Sequence, residues 1–216
     1  MELSNSGKVV IIDDKYEEVE PLIKILGRKN IPYLYFNGLS SDLPEKPLKC
    51  VRYIFLDIQL VSTHDNKTMA SSISGVLDKL ISKDNGHFVI IFWTKHNEVI
   101  DMVCENLKKI NLHPADKLNL EKNEFINYFN GKSVFDYDKL IMKLDTELNK
   151  IPAFQLYIDW ENMLNNAGIK HISEFSGLFP FNDKWSKNTE YLFYKLYKSV
   201  VEKSETTDDK KINIAF

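Results

Sequence analysis

The feature that most constrains the fold is a short apolar run ending in one carboxylate, Tyr53-Ile-Phe-Leu-Asp57. Its length and its β-favouring Tyr, Ile and Phe predict a strand buried on both faces of a parallel sheet. Such a strand meets solvent only at its carboxyl end, where ligands bind in open α/β sheets. Asp57 is therefore a candidate functional residue, with a plain turn or helix cap as the structural alternative.

A second apolar run ends in the same way, since Lys8-Val-Val-Ile-Ile12 stops at Asp13 and Asp14. Two parallel strands that end together would bring three carboxylates to one edge of the sheet. Three such charges side by side require proton uptake or a bound cation. Because oxygen ligands favour a hard cation, Mg²⁺ is the ion expected there.

The chain from residue 8 to about residue 148 alternates between strand and helix patterns. Besides the two runs above, apolar runs predict strands at 32–36, 88–93 and 117–120, and apolar spacing predicts a helix after Asp14 and others at 69–81, 99–110 and 140–148. The segment 37–49 contains two prolines and a glycine and predicts a loop. The alternation predicts a doubly wound α/β domain with a parallel sheet.

The C-terminal part differs in kind because it is rich in aromatic residues. It shows two helical patches, at about 154–166 and 188–203. We therefore predict an α/β domain over 1–150 and, over 151–216, a helical extension or the start of an output or interaction region. Its aromatic residues form either the core of this extension or a docking or homodimer surface. The apolar end at 212–216 raises the hypothesis that the polypeptide continues.

Charge and composition narrow the classes of partner. A net charge of −3 and a pI near 6.0 give no reason to expect nucleic acid or an anionic membrane as partner. No run of 18 apolar residues and no signal-peptide pattern are present, so we expect a soluble, cytoplasmic protein. The two cysteines and five histidines show no metal-ligand spacing.

Polar residues follow four of the predicted strands: the pair Asp13–Asp14, then Asp57, then Thr94, and finally a lysine. Over about residues 7–149 this arrangement resembles the receiver domain of two-component response regulators. The resemblance implies a flavodoxin-like, five-stranded parallel sheet with the strand order 2-1-3-4-5.

The resemblance also implies a role for each residue. Asp57 would be the nucleophile that takes a phosphoryl group from a histidine kinase or phosphotransfer protein, which makes the chain a signalling domain and not an enzyme. Asp13, Asp14 and Asp57, with the backbone carbonyl of Gln59, would bind Mg²⁺. Thr94 would offer its hydroxyl to the phosphoryl group and move the segment behind it.

The lysine of this resemblance is either Lys117 or Lys122, and Lys122 is preferred because it follows the strand. Two other hypotheses stay open. Lys95, where the family has a small residue, favours a pseudo-receiver that binds proteins without phosphorylation. A haloacid-dehalogenase-type phosphatase also has an Asp after an apolar strand, but it needs a second Asp at the position of Gln59.

Overall fold

The computed structural model of the protein describes residues 8–60, 65–94, 97–129, 132–178 and 184–204. The contacts divide the chain into two compact units, Met1–Met163 and Leu164–Phe216. The site described below lies within the first unit. Among the described residues, no helix is both long enough and apolar enough to cross a bilayer.

Five parallel strands form the sheet of the first unit in the order β2-β1-β3-β4-β5. Their bounds are β1 (Lys8–Ile12), β2 (Tyr33–Phe36), β3 (Val51–Leu56), β4 (Val89–Phe92) and β5 (Asp116–Asn119). This confirms the predicted flavodoxin-like α/β fold and its strand order. The register pairs Ile12 with Leu56, Leu56 with Phe92, and Phe92 with Asn119, so four strands end level with one another.

Helices cover both faces of the sheet, as doubly wound folds require. They are α1 (Tyr16–Arg28), α2 (Asn66–Leu80), α3 (Asn97–Lys109), α4 (Tyr137–Leu148) and α5 (Pro152–Ser176). One buried cluster joins α1, α4 and the start of α5 to Val9 and Ile11 of β1, and the other joins α2 and α3 to Val10 and Ile12. Residues 37–50 connect β2 to β3 without a helix, which confirms the predicted loop.

Two features after β5 were not predicted. A 3-10 turn, Lys122–Phe125, follows the strand, and an antiparallel hairpin of β6 (Ile126–Phe129) and β7 (Lys132–Phe135) precedes α4. Neither hairpin strand is a continuous apolar run or alternates strictly between apolar and polar residues, so no strand pattern stands out in the sequence.

The two C-terminal helices differ in how well the sequence predicted them. The helix expected at 154–166 continues as α5 to Ser176 and passes through Gly168, so the predicted end was wrong. A glycine inside a helix costs about 1 kcal/mol relative to alanine, which a long helix tolerates. The second helix, α6 (Trp185–Ser204), confirms the other patch, whereas the apolar end at 212–216 lies outside the described residues.

The start of α5 is attached to the sheet by apolar and ionic contacts. Phe154 and Ile158 are buried in the first cluster. The guanidinium of Arg52, at the start of β3, donates to both carboxylate oxygens of Glu161, with N···O distances of 2.8 and 2.6 Å. The same guanidinium lies 5.2 Å from the ring centroid of Tyr157. The first half of α5 therefore belongs to the core of the first unit.

Candidate functional site

Asp13 and Asp57 are held side by side by the sheet itself. Each follows the last residue of its strand, and the main-chain N–H of Asp57 donates to the carbonyl of Ile12 at 2.9 Å. Asp13 continues the pairing of β1 with β2 through its own N–H and the carbonyl of Phe36. Both side chains are buried, whereas Asp14 is exposed. The level strand ends thus bring residues 44 positions apart in the chain to one edge.

Lys122 lies between these carboxylates. Its Nζ donates to Asp13 Oδ2 at 2.6 Å, to Asp57 Oδ2 at 2.7 Å and to Glu18 Oε2 at 2.7 Å. An ammonium has three N–H donors, and each of them has a carboxylate partner here. We refer to Asp13, Glu18, Asp57 and Lys122 as the Lys122 cluster.

The remaining carboxylate oxygens accept main-chain hydrogen bonds that fix their orientation. The N–H of Lys15 donates to Asp13 Oδ1 at 2.9 Å, and the N–H of Gln59 donates to Asp57 Oδ1 at 3.1 Å. The hydroxyl of Tyr35 donates to the main-chain carbonyl of Asp13 at 2.7 Å. Both carboxylates are therefore held in place before any ligand arrives.

The turn that carries Lys122 is anchored by aromatic packing. Phe125, three residues on in the same turn, stacks on the indole of Trp93 with ring centroids 5.6 Å apart and planes 2° from parallel. Phe135 of β7 packs against both rings. Since Trp93 directly precedes Thr94, the same stack positions the ends of β4 and of the Lys122 turn.

Glu18 is the member of the cluster that the sequence did not indicate. It lies in the first turn of α1, next to the buried Val19, and its other carboxylate oxygen pairs with Lys15 at 3.1 Å. Helical periodicity identified the buried face of α1 but not the side chains at its margin. The one available clue was position, because the first turn of α1 directly follows the Asp13–Asp14 pair at the edge of the sheet.

Burial and charge act against each other in the cluster. Burial raises the pKa of the Asp13 carboxyl to about 6, even though Lys122 and the Lys15 N–H favour its ionised form. For Lys122, burial is outweighed by the attraction of Asp57 and the hydrogen bonds to the three carboxylates, so its pKa lies above the usual lysine value. Burial of Glu18 is likewise outweighed by its bonds from Lys122 and Lys15, and its pKa is lowered.

The carboxylates meet a basic geometric requirement for a shared cation. Asp13, Asp14 and Asp57 each offer an oxygen, and these oxygens lie within 4.8 Å of one another. Opposite ligands of an octahedral Mg²⁺ are separated by about 4 Å, so this spacing is compatible with one ion. With Glu18 included, four carboxylates face the two ammonium groups of Lys15 and Lys122, which leaves two excess negative charges.

A cleft of about 220 Å³ opens beside the cluster. Its lining residues are Lys15, Glu18, Asp57, Gln59, Trp93, Thr94, Lys122 and Asn123. Thr94 is buried and borders the same cleft as Asp57. A cleft of this size suits a small polar group better than a drug-sized ligand.

Lys117, the other candidate lysine, lies away from the Lys122 cluster. Its ammonium pairs with Asp101 on α3 at a separate cleft. The structure therefore brings Lys122, and not Lys117, to the carboxylates. Gln59 lines the cleft and contacts Asp57 through its N–H. Lys95 lies outside the described residues.

Comparison with known proteins gave no family for this chain. No protein-family model matches it, and no curated protein matches it. Among solved structures, it is similar to a fusion carrying the yeast Spc42 trimeric coiled coil, with 13% identity, a TM-score of 0.34 and coverage of 78% of this chain and 95% of the other.

Two further structures are similar over most of their length. A pilus assembly-related protein from Burkholderia pseudomallei has 10% identity and a TM-score of 0.37, and the match covers 71% of this chain and 95% of that one. The signal receiver domain of a modulated diguanylate cyclase from Desulfovibrio desulfuricans has 15% identity and a TM-score of 0.34, with coverage of 68% and 96%. These TM-scores are low, and the fold is defined by the chain's own strand order and register.

Proposed function

We propose that this protein is a receiver-like signalling domain in which Asp57 accepts a phosphoryl group. The observation that carries the proposal is the convergence of Asp13, Asp57 and Lys122 at the carboxyl edge of a sheet with the order 2-1-3-4-5. Thr94 borders the same cleft, which supplies a hydroxyl beside the acceptor.

In the proposed reaction, a carboxylate oxygen of Asp57 attacks the phosphorus of the donor. With a phosphohistidine of a kinase or phosphotransfer protein as donor, the new O–P bond forms while the P–N bond breaks, and the imidazole nitrogen keeps the electron pair. Lys122 then pairs with the phosphoryl oxygens as a point charge, and the Thr94 hydroxyl donates to them. The protein thus acts on itself and not on a separate substrate.

Asp13, Asp14 and Asp57 are the residues that would hold Mg²⁺. When bound, the ion would supply positive charge that reduces the repulsion between the carboxylates and the incoming phosphoryl group. The two excess negative charges around the site match the charge of one divalent cation.

Fluorine NMR with beryllofluoride, a phosphoryl mimic, tests this proposal. We expect a protein-bound fluorine signal that requires Mg²⁺ and is absent from Asp57→Asn. Asp101→Asn is the matched control, because it also removes an aspartate paired with a lysine, Lys117, but at an exposed place outside the cleft. A folded wild-type protein with no bound signal at saturating Mg²⁺ would contradict the proposal.

One observation favours a second candidate function, a pseudo-receiver that binds proteins without phosphorylation. Lys122 already donates to three carboxylates, so the acidic cluster has a resident counter-charge that does not depend on a metal. This candidate predicts a folded protein that ignores both Mg²⁺ and phosphodonors. The phosphatase hypothesis gains no support, because position 59 contributes an N–H to Asp57 and has no carboxyl group.

A further inference from the structure

Glu18 is a partner of Lys122 that the proposed phosphoryl chemistry leaves without a role. Its Oε2 accepts from the Lys122 Nζ at 2.7 Å, a distance equal to that between Lys122 and Asp57. Lys15 pairs with the other Glu18 oxygen at 3.1 Å and so holds the carboxylate from the opposite end. The Glu18 side chain is 37% exposed, whereas that of Asp13 is 1% exposed.

The contacts of Lys122 create a conflict with cation binding. Two of its three hydrogen bonds go to Asp13 and Asp57, whose carboxylates also belong to the set close enough to share one ion. Among the described residues, this set includes Asp14 but not Glu18. An ion bound to these carboxylates would repel the ammonium, since like charges at such distances disfavour each other in a partly buried site.

We infer that Glu18 is a positioning residue that holds the Lys122 ammonium beside the cleft when a divalent cation takes the oxygens of Asp13 and Asp57. This inference rests on the proposed function, because it concerns the cation step of that chemistry. When the cation binds the oxygens of Asp13 and Asp57, the contact with Glu18 keeps the Lys122 ammonium beside the cleft. The positive charge of Lys122 then stays available to pair with phosphoryl oxygens. Without Glu18, the partners left to Lys122 among the described residues are Asp13 and Asp57, so its ammonium competes more strongly with the cation.

A double-mutant cycle on Mg²⁺ affinity tests this inference, using calorimetry with the full chain and Mg²⁺ alone. We expect Glu18→Gln to weaken Mg²⁺ binding about fivefold, within the range of coupling between residues in contact. In a Lys122→Met background, the same change should have an effect of less than about twofold, because the ammonium through which Glu18 acts is gone. Equal weakening in both backgrounds would overturn the inference and assign Glu18 a general charge effect.

Glu20→Gln is the matched control. Glu20 is on the same helix and pairs with a lysine, Lys24, so this variant removes one charge and one ion pair away from the cluster. We expect an affinity within about twofold of wild type, because exposed charges farther away are screened by salt. A Glu20→Gln effect as large as that of Glu18→Gln would contradict the inference.

Glu18→Asp supplies a test that does not require Lys122→Met to fold. This variant keeps the negative charge but shortens the side chain, so a role through contact with Lys122 predicts weakened Mg²⁺ binding. Wild-type affinity in Glu18→Asp would overturn the inference. Absence of Mg²⁺ binding to the wild type would contradict the cation step of the proposed function itself, whereas equal effects in the cycle contradict the role of Glu18 alone.

Discussion

At Asp13, burial and the neighbouring ammonium act on the carboxyl group in opposite directions. Its side chain is 1% exposed, and burial raises its carboxyl pKa to about 6 in spite of the Lys122 ammonium at 2.6 Å. The folded protein therefore holds the Asp13 proton more tightly than the unfolded chain does. The contribution of this carboxyl to stability is full below pH 3.8 and is lost as the pH rises through about 6.

We predict that Asp13→Asn stabilises the metal-free protein near neutral pH. The gain in the free energy of unfolding should be on the order of 2 kcal/mol, because the variant removes a charge that burial disfavours. The gain should shrink as the pH falls from about 7 to about 4, where wild-type Asp13 takes up its proton. Urea unfolding in the presence of a chelator, at several pH values, measures this difference.

Asp14→Asn is the control for that experiment. Asp14 is exposed, so the free energy of unfolding should change by less than about 0.5 kcal/mol at all these pH values. Its effect should appear instead as weaker Mg²⁺ binding. The opposite result would be a free energy of unfolding that is lower in Asp13→Asn than in wild type near neutral pH. Asp13 would then stabilise the fold as a partner of Lys122, and its buried charge would not be destabilising.

A second prediction at this scale compares the two lysines. Lys122→Ala should destabilise the metal-free protein by about 3 kcal/mol, because it leaves carboxylates at a largely buried place without their counter-charge. Lys117→Ala should cost less than about 1 kcal/mol, since it breaks an exposed pair. Thermal melts with and without Mg²⁺ check both values, and Mg²⁺ should raise the Tm of Lys122→Ala more than that of wild type. If Mg²⁺ raised the Tm of Lys122→Ala no more than that of the wild type, the view that Mg²⁺ and the Lys122 ammonium compete would be contradicted.

The sequence predicted the site to the extent that strand ends determine it. Asp57 and Asp13 stop continuous apolar runs, and such runs are the pattern of strands buried on both faces. Level strand ends then bring these residues together whatever their separation in the chain. Glu18 and the bridging contacts of Lys122 depend on side-chain geometry, which no spacing rule supplies.

At the scale of elements, β3 connects the candidate acceptor at its carboxyl end with an ion pair to α5 near its amino end. Asp57 follows its carboxyl end, and Arg52 near its amino end pairs with Glu161 of α5. The Arg52 side chain is 4% exposed and that of Glu161 is 17% exposed, so this ion pair is largely removed from water. The contact therefore joins the site-bearing strand to the first half of α5.

We predict that Glu161→Gln lowers the free energy of unfolding by about 3 kcal/mol, because it leaves the buried Arg52 charge without its partner. Glu174→Gln is the matched control, since Glu174 pairs with Lys170 at an exposed place on the same helix and should matter by less than about 1 kcal/mol. Chemical denaturation measures both. The guanidinium of Arg52 also donates to the main-chain carbonyls of Val51 and Asn85, at 2.9 and 3.0 Å. A loss of stability smaller than that of the control would show that these carbonyls satisfy the Arg52 charge without Glu161.

The elements that pack extensively against the sheet are the ones that the sequence predicts best. Long apolar runs and long amphipathic helices were predicted, because burial against a sheet leaves a strong pattern in the sequence. The β6–β7 hairpin and the extent of α5 were not. The hairpin strands lack a regular apolar pattern, and Gly168 suggested a helix end where the chain in fact continues as helix.

At the scale of the whole molecule, the first unit extends to Met163. We predict that a fragment of residues 1–163 unfolds cooperatively, whereas a fragment of residues 1–150 is largely unfolded. The shorter fragment lacks the buried side chains of Phe154 and Ile158, each worth about 2–5 kcal/mol, out of a total stability of about 5–15 kcal/mol. Thermal melts followed by circular dichroism compare the two, and equal stability would show that the start of α5 is dispensable.

The most direct test of the account is the intact mass of the protein after incubation with Mg²⁺ and a small phosphodonor. We expect the wild type to gain the mass of one phosphoryl group, Asp57→Asn to gain none, and Asp101→Asn to behave as wild type. A folded wild-type protein that stays unmodified with every donor, or an Asp57→Asn variant that is still modified, would contradict the assignment of Asp57 as the acceptor.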